Sequence, residues 1–428
     1  MINKIQRIKI EFVDALRCSK TIRGIFRYLV TLKAFCTYNK TKRLINYVDA
    51  AHYSSNPNDD CFLNKRIHKL LDDHLPEFED ILRLYGKPSN TVLKSVILKP
   101  YISNTEPGIL YISFDKLLAR VLTAKNFSEL AKKYILVFEP SYSSPHSLIF
   151  YVLPRLLSYP LFSTISNPKD KAYIKGISPN SQVLDIMAAS WVDEDQFQPK
   201  ANTVRDIDIL IVGCFTKVKR HFALFKAIRN LPEHYKIAVI GETEGKRTLE
   251  TIKHEAGIYG VEERIEFIGA VGYDEISDYL GRAKATAIFS KREGSCVIIA
   301  EALFADTPAG LYEDAEIGTR YFINKQTGVL FNDSNITESL IKLVEQRDSF
   351  TPRKWAIENG KSAIASHQYL NEKLKLWSLE NGLQWSADIY PMKRCPNPVL
   401  IRENDIQQSQ YEQETIFKEH NIWIGNKC

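Results

Sequence analysis

The sequence predicts an α/β protein with two doubly wound domains and an additional helical region at the N-terminus. From Val92 onward, short apolar runs such as VLKSVILKP and KYILVFEP alternate with helical stretches, a pattern typical of parallel sheets with crossover helices. The chain has 428 residues, which is too long for one ordinary core and suits two domains of about 150 to 200 residues each.

The predicted organisation has four parts. Residues 1–90 are expected to be basic and helical, because apolar residues recur at helical spacing in NKRIHKLLDDHLPEFEDILRLYG. Residues 91–200 form the first predicted α/β domain, and residues 201–365 form the second, which contains the β-α repeats DIDILIVGCF, KIAVIGE and RIEFIGAV. Residues 366–428 are expected to form a helix followed by an irregular tail rich in Gln, Asn and Glu.

Composition and cysteine usage indicate a folded protein of the cytoplasm. Hydrophobic residues make up 44% of the chain and charged residues 25%, which are average values for globular proteins and exclude wholesale disorder. We find no apolar run long enough to span a membrane and no signal-peptide pattern. The seven cysteines form no CxxC pair and no zinc-type spacing, so we expect reduced thiols.

The positive charge is concentrated at the N-terminus. Residues 1–45 carry eleven Lys or Arg against Glu11 and Asp14, and apolar residues recur there at helical spacing. One interpretation is a basic amphipathic helix that binds an anionic membrane surface, which would place the protein peripherally at the inner face of the membrane. The other is a helix packed on the next domain with its basic residues in water. We expect no nucleic-acid partner, because the basic residues continue into no recognised binding motif.

The segment KREGSCVIIAEALFADTPAGLY, residues 291–312, is the strongest candidate for a functional site. It follows the apolar run ATAIF and leads into a helical pattern, so the predicted order is strand, tight turn and helix. A turn of this kind aims backbone N–H groups at an anion. Glu293 and Glu301, with seven residues between them, could then hold opposite ends of one ligand.

This segment resembles the retaining GT-B glycosyltransferases of the glycosyl transferases group 1 kind, whose shared pattern is E-x7-E followed by G/D-T-P. Two further segments support the resemblance, which is firm over about residues 183–345 and weaker over 91–182. WVDEDQFQP resembles the linker that enters the nucleotide-binding domain of that family, and GCFTKVKRH resembles the first strand and turn of that domain. The resemblance implies a GT-B fold, in which two Rossmann-like domains face a cleft.

The resemblance also implies roles for individual residues. Glu301 would bind the ribose hydroxyls, Glu293 would hold the sugar hydroxyls near the reacting centre, and Lys219 would stabilise the departing diphosphate. Where the family has a second diphosphate-binding residue, an Arg, this chain has Cys214, and Lys217 is a candidate substitute. The remaining donor-binding candidates are Gly213, Arg220, Gly294, Ser295, Cys296 and Val297.

Two further patterns bear on the site. His146 follows a predicted strand, and since ligands gather outside the carboxyl ends of strands in open α/β sheets, it is a catalytic candidate that could face the reacting sugar. A lone loop histidine is also commonly structural or exposed. Asp206-Ile207-Asp208 has the D-x-D form that holds a metal in the other glycosyltransferase fold, but it enters a strand without acidic partners, so we interpret it as a strand-edge pair.

The predicted function is therefore transfer of a sugar from a nucleotide-diphosphate donor to an acceptor, with retention of anomeric configuration. We expect a glycan acceptor, with a lipid-linked glycan as one option, and hence a hexosyltransferase-like role in polysaccharide biosynthesis. Because Lys and Arg can supply the positive charge, we expect no divalent metal and no other cofactor. Two alternatives stay open: a non-catalytic binding or scaffold subunit, suggested by Cys214, and a GT-B-fold nucleotide-sugar epimerase.

Overall fold

The computed structural model describes residues 2–54, 56, 60–86, 89–140 and 145–425, and it divides the chain into two compact units. Unit 1 comprises Met1–Ser19 and Ala189–Ala363, and unit 2 comprises Lys20–Ala188 and Ile364–Cys428. The boundary between the two α/β domains, predicted at residue 200, thus lies about twelve residues earlier, at residue 188. The predicted N-terminal region does not form one body, because its first helix belongs to unit 1.

The helices and strands follow each other in an order typical of α/β proteins. The α-helices are α1 (Ile2–Cys18), α2 (Lys20–Phe35), α3 (Lys40–His52), α4 (Cys61–Asp73), α5 (Phe78–Leu84), α6 (Asp115–Ala119), α7 (Phe127–Lys133), α8 (Leu148–Val152), α9 (Asp170–Ile177), α10 (His221–Ile228), α11 (Leu249–Tyr259), α12 (Tyr273–Arg282), α13 (Val297–Phe304), α14 (Ile336–Glu345), α15 (Pro352–Glu358), α16 (Ala363–Glu380) and α17 (Glu403–His420). The strands are β1 (Thr91–Val92), β2 (Ser95–Lys99), β3 (Gly108–Ser113), β4 (Tyr134–Glu139), β5 (Phe162–Ser163), β6 (Gln182–Val183), β7 (Ile207–Val212), β8 (Ile237–Ile240), β9 (Ile265–Ile268), β10 (Ala283–Ile288), β11 (Ala309–Tyr312), β12 (Gly328–Phe331), β13 (Met392–Cys395), β14 (Asn397–Leu400) and β15 (Trp423–Ile424).

The core of unit 1 is a six-stranded sheet in the order β9-β8-β7-β10-β11-β12, with every neighbouring pair parallel. A parallel sheet covered on both faces requires continuous apolar strands, and the runs IDILIV and IAVI are buried throughout. The strand order reverses between β7 and β10. In open α/β sheets, ligands bind outside the carboxyl ends of the strands at this switch point.

Unit 2 contains a five-stranded sheet whose strands follow chain order, β2-β3-β4-β5-β6. β2 is antiparallel to β3, whereas β3 to β6 are parallel to one another. Strands β2, β3 and β4 are buried at every position, so this sheet forms the core of unit 2. Apart from the antiparallel β2, this is the parallel α/β sheet predicted for the first α/β domain.

The C-terminal segment is regular where the sequence predicts an irregular tail. It forms the hairpin of β13 and β14 and the 18-residue helix α17. Buried polar contacts hold it on unit 2: Arg394 pairs with Glu139 at the end of β4, and Glu412 accepts a hydrogen bond from the backbone N–H of Tyr101 at 2.8 Å. Because the buried side of α17 is largely polar, the sequence shows little apolar periodicity there.

None of the helices in the described ranges combines the length and the apolar character needed to cross a bilayer.

Candidate active site

The carboxyl edge of the unit 1 sheet brings together two segments that are distant in the sequence. One follows β7 and contains Gly213 and Lys219, and the other follows β10 and contains Glu293. The Nζ atom of Lys219 lies 2.9 Å from Oε1 and 3.0 Å from Oε2 of Glu293. Two of the predicted catalytic residues therefore form an ion pair at the switch point of the sheet.

The environment keeps Lys219 charged. Burial disfavours its ammonium form, but the neighbouring Glu293 carboxylate more than offsets this effect, so the pKa of Lys219 lies above its ordinary value. Its side chain retains 19% of its exposed surface and that of Glu293 retains 15%. The pair is thus largely shielded from water, and part of each side chain stays exposed.

Gly213 provides the surface on which the Lys219 side chain lies. A Cβ atom at position 213 would stand 2.9 Å from Cε of Lys219, closer than normal van der Waals contact. The adjacent Cys214 is partly buried and provides no positive charge. Lys219 therefore depends on the absence of a side chain at Gly213 for its position beside Glu293.

The turn between β10 and α13 is held by hydrogen bonds that use its carbonyl oxygens. Gly318 N donates to Gly294 O at 2.9 Å, and Thr319 N donates to Ser295 O at 3.2 Å. Within residues 145–425, the backbone N–H groups from Gly294 to Val297 donate no hydrogen bond. These groups lie at the N-terminus of α13, where backbone N–H groups and the helix dipole favour an anion.

Cys296 occupies the residue before α13 in a left-handed conformation, with φ of 53°. Burial raises the pKa of its thiol well above the ordinary value, and the Glu293 carboxylate adds to this effect. The thiol is therefore protonated at neutral pH, and its contribution to the site is its backbone N–H rather than a thiolate.

Glu301 lies on the second turn of α13 and is 6% exposed. Its Oε1 accepts a hydrogen bond from the hydroxyl of Tyr273 at 2.9 Å. The ring of Tyr273 packs edge-on against Phe197 of the WVDEDQFQP segment, with centroids 5.6 Å apart. The Glu301 carboxylate is thus fixed in orientation by α12 and, through Tyr273, by the segment that precedes β7.

Arg220 and Lys217 have surroundings different from those of Lys219. Arg220 is buried, and its Nε donates to Asp14 of α1 at 2.9 Å while Nη1 donates to the carbonyl of Phe289 at 3.1 Å. Lys217 is exposed and, with Arg220, lines a cavity of about 240 Å³ bordered by α1. Their predicted role in donor binding stays a prediction, and the observed contacts give Arg220 a structural role in holding α1.

His146 lies in the interior of unit 2, with its side chain 1% exposed. Its Nε2 atom is 2.8 Å from Oδ2 of Asp60, and its Nδ1 atom is 3.1 Å from the hydroxyl of Tyr151. Both ring nitrogens are therefore engaged in a buried network, which corresponds to the structural interpretation of this histidine. Its role at a reacting sugar stays a prediction.

Residues 192–363 match the family described as Glycosyl transferases group 1. This segment is similar to the group 1 glycosyltransferases. It covers less than half of the chain, and it contains the whole six-stranded sheet together with Lys219, Glu293 and Glu301. No curated protein sequence matches the chain.

Solved structures resemble a larger part of the chain. Sucrose-phosphate synthase from Thermosynechococcus elongatus aligns over 63% of this chain and 74% of its own, with 15% identity and a TM-score of 0.51. TarM aligns over 64% of this chain and 56% of its own, with 12% identity and a TM-score of 0.51. The pneumococcal O-GlcNAc transferase GtfA aligns over 59% of this chain and 54% of its own, with 15% identity and a TM-score of 0.46. The alignments span about half to three quarters of these proteins. The likeness to sucrose-phosphate synthase and TarM confirms the predicted GT-B fold class.

Sequence reasoning missed Tyr273 and Asp14. Tyr273 begins α12 and is 28 residues from the glutamate that it contacts, and Asp14 lies 206 residues from Arg220. No spacing rule connects residues so far apart, because the contacts arise only when the sheet brings the elements together.

Proposed function

We propose that the chain is a glycosyltransferase that moves a sugar from a nucleoside-diphosphate donor to an acceptor. The observation that supports this proposal most strongly is the Lys219–Glu293 pair beside the N–H groups of Gly294 to Val297, at the switch point of a group 1 domain. A fixed ammonium group and a row of backbone donors match the oxygens of a diphosphate. The switch point is also where open α/β sheets bind their ligands.

Each charged residue would have a distinct part in the reaction. Lys219 would exchange part of its contact with Glu293 for a diphosphate oxygen and would stabilise the charge that develops on the leaving group. Glu293 would orient Lys219 and accept hydrogen bonds from the sugar hydroxyls. Glu301, held by Tyr273, would accept hydrogen bonds from the ribose.

We further propose that the product retains the anomeric configuration of the donor and that the reaction needs no divalent cation. Lys219 and the N-terminus of α13 would supply the positive charge that a metal provides in other transferases. We propose a glycan acceptor, either free or linked to a lipid carrier.

The experiment is a transfer assay with the purified full-length chain, a panel of UDP, GDP, ADP, CMP and dTDP sugars, and glycan acceptors with and without a lipid carrier. We expect turnover of one donor class that persists in EDTA, with the product anomer assigned by NMR. Turnover that requires an added divalent cation would contradict the metal-free proposal, and an inverted product would contradict retention.

One observation favours a second candidate, a non-catalytic sugar-nucleotide-binding subunit. Cys214 stands where the family has an Arg, and the neighbouring Lys217 lines the cavity beside α1. This candidate predicts that a nucleotide binds without turnover under every acceptor condition. Conversion of a sugar nucleotide in the absence of any acceptor would instead indicate an epimerase.

A further inference from the structure

Helix α1 contacts the rest of unit 1 through polar side chains. Asp14 is buried and accepts a hydrogen bond from Nε of Arg220 at 2.9 Å, and Oε2 of Glu11 lies 3.2 Å from Nζ of Lys226. In most surface helices of globular proteins, the apolar side faces the core and the polar side faces water. Helix α1 has the opposite orientation.

The apolar side of α1 is exposed to solvent. In projection at about 100° per residue, four exposed apolar residues of α1 fall within an arc of about 80°, with Lys4 and Lys9 at the two borders. These residues, which we call the α1 stripe, are 41% to 62% exposed: Ile5, Ile8, Phe12 and Leu16.

Helix α2, in unit 2, shows the same inversion independently. Its buried residues are Arg23 and Ala34, and Nη2 of Arg23 donates to the carbonyl of Ser54 at 2.9 Å. The opposite side carries residues that are 42% to 54% exposed and that we call the α2 stripe: Ile25, Leu29 and Leu32. Two consecutive helices therefore present apolar residues outward and use polar residues for attachment.

The charge of this region identifies the occupant that fits the two stripes. Residues 1–45 carry eleven Lys or Arg and two acidic residues, a net charge of +9, while the rest of the chain carries −3. A second copy of the chain would bring two such positive segments together, which like-charge repulsion disfavours. An anionic bilayer has negative charge at its surface and an apolar layer beneath. This order fits an apolar stripe bordered by lysines, because the stripe can enter the apolar layer while the ammonium groups stay at the charged surface.

We propose that α1 and α2 each bind an anionic lipid surface through their stripes. Each stripe enters the boundary between headgroups and acyl chains, and on α1 Lys4 and Lys9 contact the lipid phosphates. The stripe residues are different from Lys219, Glu293 and Glu301, although Asp14 on the other side of α1 contacts Arg220. This binding would hold the group 1 domain close to acceptors carried in the membrane.

The test is flotation of the full-length chain with vesicles of phosphatidylcholine alone and of phosphatidylcholine mixed with phosphatidylglycerol. We expect flotation with the anionic vesicles only, and a decrease at high salt because the surface potential is screened. The double variants Ile8→Ser/Phe12→Ser and Ile25→Ser/Leu29→Ser should each lower the partition coefficient at least about tenfold, since each removes two apolar side chains from the buried stripe.

The matched controls are Ile357→Ser and Leu376→Ser, which remove residues of similar exposure, 48% and 53%, from α15 and α16. These variants should float like the wild-type chain. Equal flotation with both vesicle types, or flotation unchanged by the stripe variants, would overturn the proposal. A lower thermal midpoint in the stripe variants but not in the controls would show that the stripes are covered within the protein. Self-association that the stripe variants abolish, without vesicle binding, would assign the stripes to a second copy.

Discussion

The two edges of the unit 1 sheet carry similar ion pairs next to the same two strands, but the groups that surround each pair differ. At the amino edge, Nζ of Lys284 on β10 lies 2.7 Å from Oδ1 of Asp208 on β7. At the carboxyl edge, the Lys219–Glu293 pair follows the same strands at 2.9 Å. The amino-edge aspartate also accepts a hydrogen bond from the backbone N–H of Lys236 at 2.8 Å, whereas the carboxyl-edge pair lies beside backbone N–H groups that are available to an anion.

This comparison shows that position in the sheet, more than residue type, distinguishes a site from a structural contact. The D-x-D pattern of Asp206 and Asp208 looks like metal-binding chemistry in the sequence. In the structure, Asp208 pairs with Lys284 and joins β7 to β10, whereas Asp206 pairs with Arg282 at the end of α12 at 2.8 Å. Both carboxylates therefore make structural contacts.

The largest effect is expected from Lys219→Ala. In the proposed reaction the ammonium group stabilises the departing diphosphate, so its loss should lower kcat by roughly 10² to 10³. The matched change Lys284→Ala breaks the ion pair with Asp208 and should leave kcat within about a factor of two, since this pair lies at the opposite edge of the sheet. Steady-state kinetics of sugar transfer measure both. Equal losses of kcat in the two variants would contradict a specific role of the carboxyl edge in catalysis.

Glu301→Ala should act mainly on donor binding. Removal of the carboxylate that Tyr273 orients should raise KM for the sugar nucleotide about tenfold, which corresponds to about 1.4 kcal/mol, with a smaller change in kcat. Asp206→Ala removes a carboxylate from the amino edge of the same sheet and should leave KM unchanged. A variant at Glu301 with wild-type KM would refute its assignment to the donor.

Gly213→Ala should have an intermediate effect. The added methyl group would meet Cε of Lys219 at 2.9 Å and push the ammonium group away from Glu293, so kcat should fall about tenfold. Gly281→Ala in α12 meets no atom within 4 Å and should leave kcat unchanged. If Gly213→Ala retains full activity, the close approach of Gly213 does not determine the position of Lys219.

The smallest effect is expected at a buried carboxylate that has no cation partner among the described residues. Asp170 in unit 2 accepts hydrogen bonds from the backbone N–H groups of Ser166 and Asn167, each at 2.9 Å. Burial raises the pKa of Asp170 to about 7, and the two hydrogen bonds only partly oppose this increase. Its folded-state pKa is thus above its unfolded value, so its contribution to stability is complete below about pH 4 and is lost as the pH rises through about 7.

Asp170→Asn keeps a hydrogen-bond acceptor but does not titrate. The thermal midpoint of this variant should therefore decline less than that of the wild-type chain between mildly acidic and mildly alkaline pH. Asp185→Asn, at an exposed aspartate of the same unit, is the control and should follow the wild-type profile. Parallel profiles for the wild-type chain and Asp170→Asn would exclude a raised pKa at this position.

Lys219 was assigned through the family resemblance, whereas the residues themselves predicted the strand, turn and helix around Glu293 and Glu301. This segment depends on local order, namely an apolar strand, a turn of small residues and a helix. The partners that fix it, such as Tyr273 and Gly318, depend on contacts between distant elements, for which a single sequence contains no signal.

The C-terminal helix α17 was not predictable from periodicity for a different reason. Its buried residues include Glu412 and Gln413, which are stabilised by specific hydrogen bonds or close packing rather than by an apolar stripe. The apolar periodicity of α2 was visible in the sequence, but the outward orientation of the α1 and α2 stripes was not. The periodicity of a sequence indicates that a helix is amphipathic, whereas the direction of its apolar side depends on its attachment, here through Asp14 and Arg23.

The most direct test of the central claim is thermal stabilisation by UDP, GDP, ADP, CMP and dTDP in the wild-type chain, Glu301→Ala and Lys284→Ala. A nucleotide that binds only the folded state stabilises it by about 2.7 kcal/mol at one hundred times its Kd. We predict that one nucleotide raises the midpoint of the wild-type chain and of Lys284→Ala, and that this increase is lost in Glu301→Ala. An increase that survives in Glu301→Ala but disappears in Lys284→Ala would contradict a donor site at the carboxyl edge of the sheet.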